Sequence, residues 1–224
     1  MTSSPSTSRV SPVEFAGPAG VLEGLLQHHE GARSPLSALV CHPHPLYGGT
    51  MHNKVAHRVA STLHGLGATV LRFNFRGAGR SAGTHDAGRG ELEDARAALA
   101  WLRERTPGAR TWVAGFSFGS WIAARLASSD AGVERLILIA PPVRKSDFAV
   151  LHHAPMPKLV VQGTADVTCR PEDLEREFPL WAEPKILVMV PGATHFFDTQ
   201  LGALADALVQ VLSEPARNAT SQTT

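Results

Sequence analysis

Short apolar runs alternate along the chain with longer stretches whose apolar residues recur at helical spacing. From the third run onward the apolar runs are almost continuously hydrophobic, which is typical of strands covered on both faces. This alternation predicts an α/β fold built on a doubly wound sheet. The predicted strands are VEFAG (13–17), LEGLLQHH (22–29), SALVCHP (37–43), ATVLRFNFR (68–76), TWVAGFS (111–117), RLILIAPP (135–142), KLVVQG (158–163) and KILVMVPG (185–192).

Three stretches between or after these strands predict amphipathic helices, because their apolar residues recur in steps of three and four. One further segment, FGSWIAARLASS (118–129), directly follows a predicted strand and also predicts a helix. The apolar stripes of three of these helices are Val55, Val59, Leu63 and Leu66; Leu92, Ala95, Leu99 and Leu102; and Leu201, Leu204, Leu208, Val211 and Leu212.

The length of 224 residues suits one domain that buries about 70% of its unfolded surface. Residues 1–12 and 213–224 are rich in Ser, Thr and Pro and poor in large apolar residues. We therefore predict disordered tails at 1–12 and 213–224, and a single folded domain over 13–212.

The charge balance argues against nucleic acid and anionic membranes as partners, since 21 Lys and Arg face 20 Asp and Glu without a basic run. No apolar stretch reaches the roughly 20 residues of a membrane span, and the polar N-terminus lacks a signal-peptide pattern. Cys41 and Cys169 are too few for a disulfide framework and lack the spacing of a zinc site. The sequence predicts a cytoplasmic protein with reduced thiols and a small-molecule partner.

The segment TWVAGFSFGSW (111–121) places Ser117 on the turn between a predicted strand and a predicted helix. Such a sharp turn needs small neighbours, which Gly115 and Gly119 supply, and it lifts the serine hydroxyl out of the sheet. The amide of Phe118 then lies at the positive end of the helix, where it can donate to an oxyanion. The sequence predicts a nucleophile elbow.

A serine nucleophile needs a histidine base, and that histidine needs a carboxylate to orient it. At elbows of this kind the acid and then the histidine follow the serine, each on a loop after a strand. Asp166 follows the strand KLVVQG, and His195 follows KILVMVPG. These two positions predict the partners of Ser117. The alternatives are His152 or His153 as the base and Asp147 or Asp198 as the acid.

The loop CHPHPLYGGTMHNK (41–54) follows the third predicted strand, where a second oxyanion donor is expected. Its prolines have no amide hydrogen, so we predict the amide of Leu46 or, as second choice, Tyr47. His42, His44 and His52 also allow a metal site, but no acid or cysteine nearby completes a ligand set. Hydrogen bonds from His42 and His44 to the bent loop backbone are the alternative.

The segment RFNFRGAGRSAG (72–83) resembles a nucleotide-binding loop only superficially, since it lacks the phosphate-loop lysine and the full dinucleotide spacing. We predict a structural loop whose arginines bind neighbouring carboxylates or carbonyls. Asp86, Glu91 and Asp94 are expected to cap a helix N-terminus.

Together, CHPHPLYGGTMHNK, RFNFRGAGRSAG, ELEDARAALAWL and AGFSFGSW resemble small bacterial α/β-hydrolases related to dienelactone hydrolases and short-chain carboxylesterases, over about residues 39–195. The resemblance implies an α/β-hydrolase fold, a mostly parallel central sheet with helices on both faces. It also implies Ser117, Asp166 and His195 as catalytic residues. Dienelactone hydrolases proper use a cysteine nucleophile where this chain has serine, so general ester hydrolysis is expected rather than their lactone specificity.

Residues 141–157 stand where related hydrolases insert a cap domain, and they are too few to form one. We therefore predict an open cleft with Phe116, Phe118, Leu46 and Tyr47 as substrate-binding residues. The expected activity is serine carboxylesterase chemistry without metal or other cofactor. Alternatives are a thioesterase or peptidase with the same triad, or a non-catalytic ligand-binding protein. The sequence is compatible with a homodimer but specifies none.

Overall fold

The computed structural model describes residues 7–31 and 34–213, which form a sheet of eight strands covered by helices on both faces. The strand order across the sheet is β1-β2-β4-β3-β5-β6-β7-β8. β2 is antiparallel to both β1 and β4, and every other neighbouring pair is parallel. The mostly parallel sheet is confirmed. The strands are β1 (Ser8–Gly17), β2 (Gly20–His29), β3 (Leu36–Cys41), β4 (Ala68–Phe73), β5 (Arg110–Phe116), β6 (Arg135–Ile139), β7 (Lys158–Gly163) and β8 (Lys185–Val190).

The helices divide the hydrophobic core into two parts, one on each face of the sheet. α1 and α5 bury their apolar stripes together on one face, and α2 and α3 on the other. The stripes of α1, α2 and α5 are the ones that the sequence predicts. The helices are α1 (Lys54–Gly65), α2 (Arg89–Arg105), α3 (Phe118–Ser129), α4 (Pro171–Glu177) and α5 (Leu201–Leu212).

The N-terminal boundary of the domain differs from the prediction, because β1 already begins at Ser8 and residues 8–12 are not a tail. β1 is an edge strand in which Phe15 is the buried apolar residue, so its sequence carries little hydrophobic signal. The backbone of β1 pairs with β2 from Ser8 to Gly17. This pairing, and not the burial of side chains, keeps the strand ordered. Residues 1–6 and 214–224, which hold most of the predicted tails, lie outside the described residues.

The carboxyl ends of the parallel strands β3 to β8 meet at one edge of the sheet, where loops from different parts of the chain come together. Residues 141–157, between β6 and β7, contain one 3₁₀ turn, Ala149–His152, and form no separate domain over this edge. The prediction of a fold without a cap is therefore confirmed. Among the described residues, no helix is both long and apolar enough to cross a bilayer.

Candidate active site

Ser117 lies on the turn between β5 and α3, with backbone angles of φ 52° and ψ −122°. Residues with a side chain rarely adopt positive φ, so this backbone is strained. The Ser117 amide donates to the carbonyl of Ile139 at 2.9 Å, and this hydrogen bond fixes the turn against the end of β6. The strained turn raises the serine side chain above the sheet edge, as expected for a nucleophile elbow.

The glycines around Ser117 are required by close backbone contacts. A Cβ at Gly119 would lie 2.3 Å from the carbonyl oxygen of Cys41 and 2.4 Å from that of His42. A Cβ at Gly115 would lie 2.1 Å from the carbonyl oxygen of Gly119. All three distances are far below van der Waals contact, so α3 can approach β3 and β5 only without these side chains.

Replacing Gly119 by alanine is expected to lower the free energy of unfolding by about 1–3 kcal/mol, because the clash is with backbone that cannot rotate away. Urea unfolding of the two proteins measures this difference. Gly202→Ala is the matched control, since a Cβ at Gly202 on α5 meets nothing within 4 Å. An alanine in an open helical position should stabilise by about 0.5–1 kcal/mol. Equal unfolding free energies for Gly119→Ala and wild type would contradict the packing described.

The three side chains predicted from their order in the chain form one hydrogen-bonded series. The Ser117 Oγ lies 3.1 Å from His195 Nε2, and His195 Nδ1 lies 2.8 Å from Asp166 Oδ2. Ser117 follows β5, Asp166 follows β7 and His195 follows β8, so the ends of three parallel strands at one edge of the sheet place them. His195 is 7% exposed and Asp166 is 2% exposed, which removes most water from the histidine–carboxylate contact.

Asp166 is held as a carboxylate by donors on both of its oxygens. Its Oδ1 accepts from the amides of Thr168 and Cys169, each at 2.8 Å, and Gln162 Nε2 donates to Oδ2 at 3.2 Å. Burial alone would raise the pKa of Asp166, but its hydrogen bonds to His195 and the backbone outweigh burial and lower the pKa. An ionised Asp166 accepts a hydrogen bond from the Nδ1–H group of His195, which leaves Nε2 unprotonated and able to accept a hydrogen bond from the Ser117 hydroxyl.

A cleft of about 780 Å³ opens directly over Ser117 and His195. One wall is aromatic: the ring of His44 lies 4.8 Å from that of Phe118 and 4.7 Å from that of Tyr47, measured between centroids. The Phe118 ring contacts Trp121 in turn, at 5.9 Å. The site combines an activated hydroxyl, a histidine base and a partly apolar binding surface, which are the features that acyl-transfer chemistry requires.

Comparison with known proteins agrees with this geometry. The family model of the alpha/beta hydrolase fold matches residues 40–191. The chain belongs to the α/β-hydrolase family. Two solved structures are similar to it. An alpha-beta serine hydrolase homologue from Coxiella burnetii is 40% identical with a TM-score of 0.86, and the match covers 90% of this chain and 97% of that one. An α/β serine hydrolase without a lid from Xanthomonas campestris is 38% identical with a TM-score of 0.85, and the match covers 93% of this chain and 97% of that one. An uncharacterised protein of Rickettsia prowazekii is 39% identical over 197 residues, 83% of this chain and 81% of that protein.

Three of the four alternative acids and bases of this α/β-hydrolase have other partners, and the ring of the fourth, His153, lies 6.5 Å from that of His152. Asp147 Oδ1 accepts from the Ala149 amide at 2.8 Å, and Asp198 is paired with Lys54. His152 Nε2 lies 3.4 Å from Glu177. Within the described part of the chain, none of these three side chains is hydrogen-bonded to Ser117 or His195. The geometry therefore favours Asp166 and His195 over the alternatives.

The loop after β3 does not present the amides that the sequence analysis selected. Pro45 begins a 3₁₀ turn, Pro45–Tyr47, in which the Tyr47 amide donates to the His44 carbonyl at 3.1 Å. The Leu46 amide donates to His44 Nδ1 at 3.3 Å. Both amides are thus used inside the loop, so Leu46 and Tyr47 are not free oxyanion donors. The amide of His44 has no hydrogen-bond partner among the described residues, and His44 lines the cleft.

Two of the predicted substrate-binding residues also lie elsewhere. Phe116 is fully buried beneath the site, where its ring packs 5.0 Å from that of His195, and it does not line the cleft. Leu46 is 68% exposed and projects outside the cleft. Tyr47 and Phe118 do line it. Phe116 ends a strand that is buried on both faces, so its side chain enters the core instead of the open edge.

His42 and His44 form hydrogen bonds with backbone groups, which is the role that the sequence analysis gives as the alternative to a metal site. His42 Nδ1 donates to the Pro43 carbonyl at 2.6 Å, and His42 Nε2 accepts from the Phe75 amide at 3.0 Å. Burial lowers the pKa of His42 to about 4, so the ring stays neutral. Both ring nitrogens of His42 are therefore engaged, and His42 ties the end of β3 to the segment after β4.

Cys169 and Gln162 are parts of the site that the sequence analysis missed. The side-chain ligand atoms of Asp166, Cys169 and His195 lie within 4.8 Å of one another. They do not fit a metal ion, because both oxygens of Asp166 are occupied by donors and burial raises the pKa of Cys169 to about 12. The signal for Gln162 was a polar residue inside the apolar run KLVVQG.

The segment after β4 has the structural role expected for it. Arg76 forms a two-pronged ion pair with Asp94, through Nε at 2.9 Å and Nη2 at 2.7 Å. Glu91 caps the start of α2 by accepting from the amides of Gly88 and Asp86. Asp86 Oδ2 accepts from the Gly90 amide at 3.1 Å. These contacts confirm the capping roles of Asp86 and Glu91 and the loop-tying role of Arg76. The capping role predicted for Asp94 is wrong, because Asp94 lies inside α2 and binds Arg76 instead.

Proposed function

We propose that this α/β-hydrolase cleaves carboxylic esters through a covalent acyl-serine at Ser117. The observation that carries the proposal is the hydrogen-bonded series Ser117–His195–Asp166 at the floor of an open cleft. The family and the similar serine hydrolases support hydrolysis as the reaction class. The preference for esters is our inference from the apolar, lidless cleft, which leaves room for an acyl group and an alcohol.

In the acylation step, Ser117 Oγ attacks the ester carbonyl carbon while His195 Nε2 takes the hydroxyl proton. Asp166 stabilises the imidazolium that forms and keeps its proton on Nδ1. The tetrahedral intermediate then expels the alkoxide, which receives the proton from His195. In the deacylation step, water attacks the acyl-serine while His195 takes a proton from it. The second tetrahedral intermediate then releases the carboxylic acid, and His195 returns the proton to Ser117 Oγ.

The negative charge of the intermediate would be bound by two backbone amides. Phe118 begins α3, so its amide has no intrahelical acceptor and points from the positive end of the helix dipole. The amide of His44 is the second donor that we propose in place of Leu46 or Tyr47, because it is unpartnered and borders the cleft. Amides fixed before the reaction need no rearrangement as charge develops.

Pre-steady-state hydrolysis of 4-nitrophenyl butyrate tests this function. A burst of one 4-nitrophenol per protein, followed by slower turnover, is the result expected for acyl-serine accumulation. The thioester and the anilide of butyric acid, assayed in parallel, distinguish an esterase from a thioesterase or a peptidase. Turnover of the anilide or thioester alone would reject the ester preference, and no turnover of any of the three would reject the hydrolase. We keep the cytoplasm as the proposed location, supported by the two unpaired thiols.

A further inference from the structure

One side of the cleft carries a lysine without an ionic partner. Lys145 lies on the loop after β6 and lines the cleft together with Pro142 and Ser146. Among the described residues, no carboxylate lies within 4.0 Å of its ammonium group. Arg144, the preceding residue in the chain, does not line the cleft.

The ammonium of Lys145 acts on the atoms next to the nucleophile. Burial raises the pKa of the Cys169 thiol, and the positive charge of Lys145 opposes that rise. Cys169 lines the same cleft as Ser117 and Lys145. Lys145 is therefore close enough to Ser117 for its charge to reach a substrate that is bound there.

The rest of the cleft wall contains no group that would repel an anion. None of the described residues that line it is acidic, and its aromatic wall presents the imidazoles of His44 and His85, with ring centroids 4.7 Å apart. Glu91, which contacts His85, is fully buried, with Oε1 2.7 Å from His85 Nδ1. Asp166 is likewise buried and satisfied by four donors.

We propose that the cleft selects esters that carry a carboxylate, with Lys145 as the specificity-determining residue that binds it; this inference rests on the proposed esterase function. The carboxylate of an anionic substrate forms an ion pair with the Lys145 ammonium, whereas a neutral ester leaves that ammonium hydrated and without an ionic partner. The chemical class is a monoester of a dicarboxylic acid, or an ester whose alcohol part bears a carboxylate. In both, the carboxylate lies several bonds from the carbonyl that Ser117 attacks.

Two pairs of esters test the proposal, each comparing a free carboxylate with its neutral methyl ester. Mono-4-nitrophenyl glutarate is compared with methyl 4-nitrophenyl glutarate, and 4-acetoxybenzoate with methyl 4-acetoxybenzoate. In Lys145→Met, kcat/KM for the anionic member of at least one pair should fall by about fivefold, the effect of losing an ion pair at a solvent-accessible site. The neutral members should stay within about twofold. The pair that responds shows whether the carboxylate belongs to the acyl or the alcohol part.

Arg144→Met is the matched control, because it removes one positive charge from the adjacent residue outside the cleft. It should leave all four rates within about twofold of wild type. An equal fall for anionic and neutral esters in Lys145→Met, unchanged ratios in both pairs, or the same loss in Arg144→Met would each overturn the proposal. Those results would not affect the proposal of ester hydrolysis. If the wild-type protein turned over none of the four esters, both the hydrolase function and this inference would be rejected.

Discussion

Replacing Ser117 by alanine is expected to lower kcat for 4-nitrophenyl esters by about 10⁶-fold, the loss seen when the nucleophile of a triad is removed. The substitution deletes one oxygen atom and leaves the turn and both flanking glycines in place. His195 then has no hydroxyl to deprotonate, and no acyl-enzyme can form. Steady-state rates measured at high protein concentration, with the uncatalysed rate subtracted, give the size of the loss.

Ser146→Ala is the matched control for this substitution, since Ser146 is another serine that lines the cleft and is not hydrogen-bonded to His195. Its kcat should stay within about threefold of wild type, because it removes the same atom type from the same cleft. Retention of more than a tenth of the wild-type kcat in Ser117→Ala would show that another group is the nucleophile.

The substitution Asp166→Asn is expected to lower kcat by about 10⁴-fold through the tautomer of His195. The amides of Thr168 and Cys169 both donate to Oδ1, so the oxygen of the asparagine must face them. Its NH₂ group then faces His195 Nδ1, which must accept a hydrogen bond and give up its proton. The proton moves to Nε2, and the histidine can no longer accept the proton of Ser117.

Asp147→Asn controls for the removal of a charge near the cleft. Asp147 accepts from the Ala149 amide through a single oxygen, and asparagine can keep that hydrogen bond. Its kcat should stay within about threefold of wild type. Circular dichroism and the urea midpoint show whether each variant is folded. A kcat for folded Asp166→Asn within tenfold of wild type would mean that Asp166 does not set the protonation of His195.

The positions of Ser117, Asp166 and His195 could be predicted because each follows a strongly apolar strand. Parallel strands of one sheet bring their carboxyl ends to one edge, so the order of strands along the chain is enough to place these residues near one another. The glycines beside Ser117 added a local steric signal. Gly119 is needed because a Cβ would meet the backbone of Cys41 and His42, which no single segment of sequence reveals.

Other features depend on tertiary contacts that the sequence pattern does not carry. β1 was predicted to begin too late, because an edge strand is ordered by pairing with its neighbour and needs few apolar residues. The direction of Phe116 could not be predicted, since alternation fails in a strand that is buried on both faces. The free amide after β3 was misplaced because the 3₁₀ turn at Pro45–Tyr47 uses the amides of Leu46 and Tyr47.

The central claim is that Ser117 is an activated nucleophile, and a fluorophosphonate tests it most directly. Intact-protein mass spectrometry after incubation with the reagent should show one adduct on the wild-type chain. The adduct should be absent in Ser117→Ala and should form far more slowly in Asp166→Asn. An unmodified mass for the folded wild-type protein, or an adduct that persists in Ser117→Ala, would contradict the account.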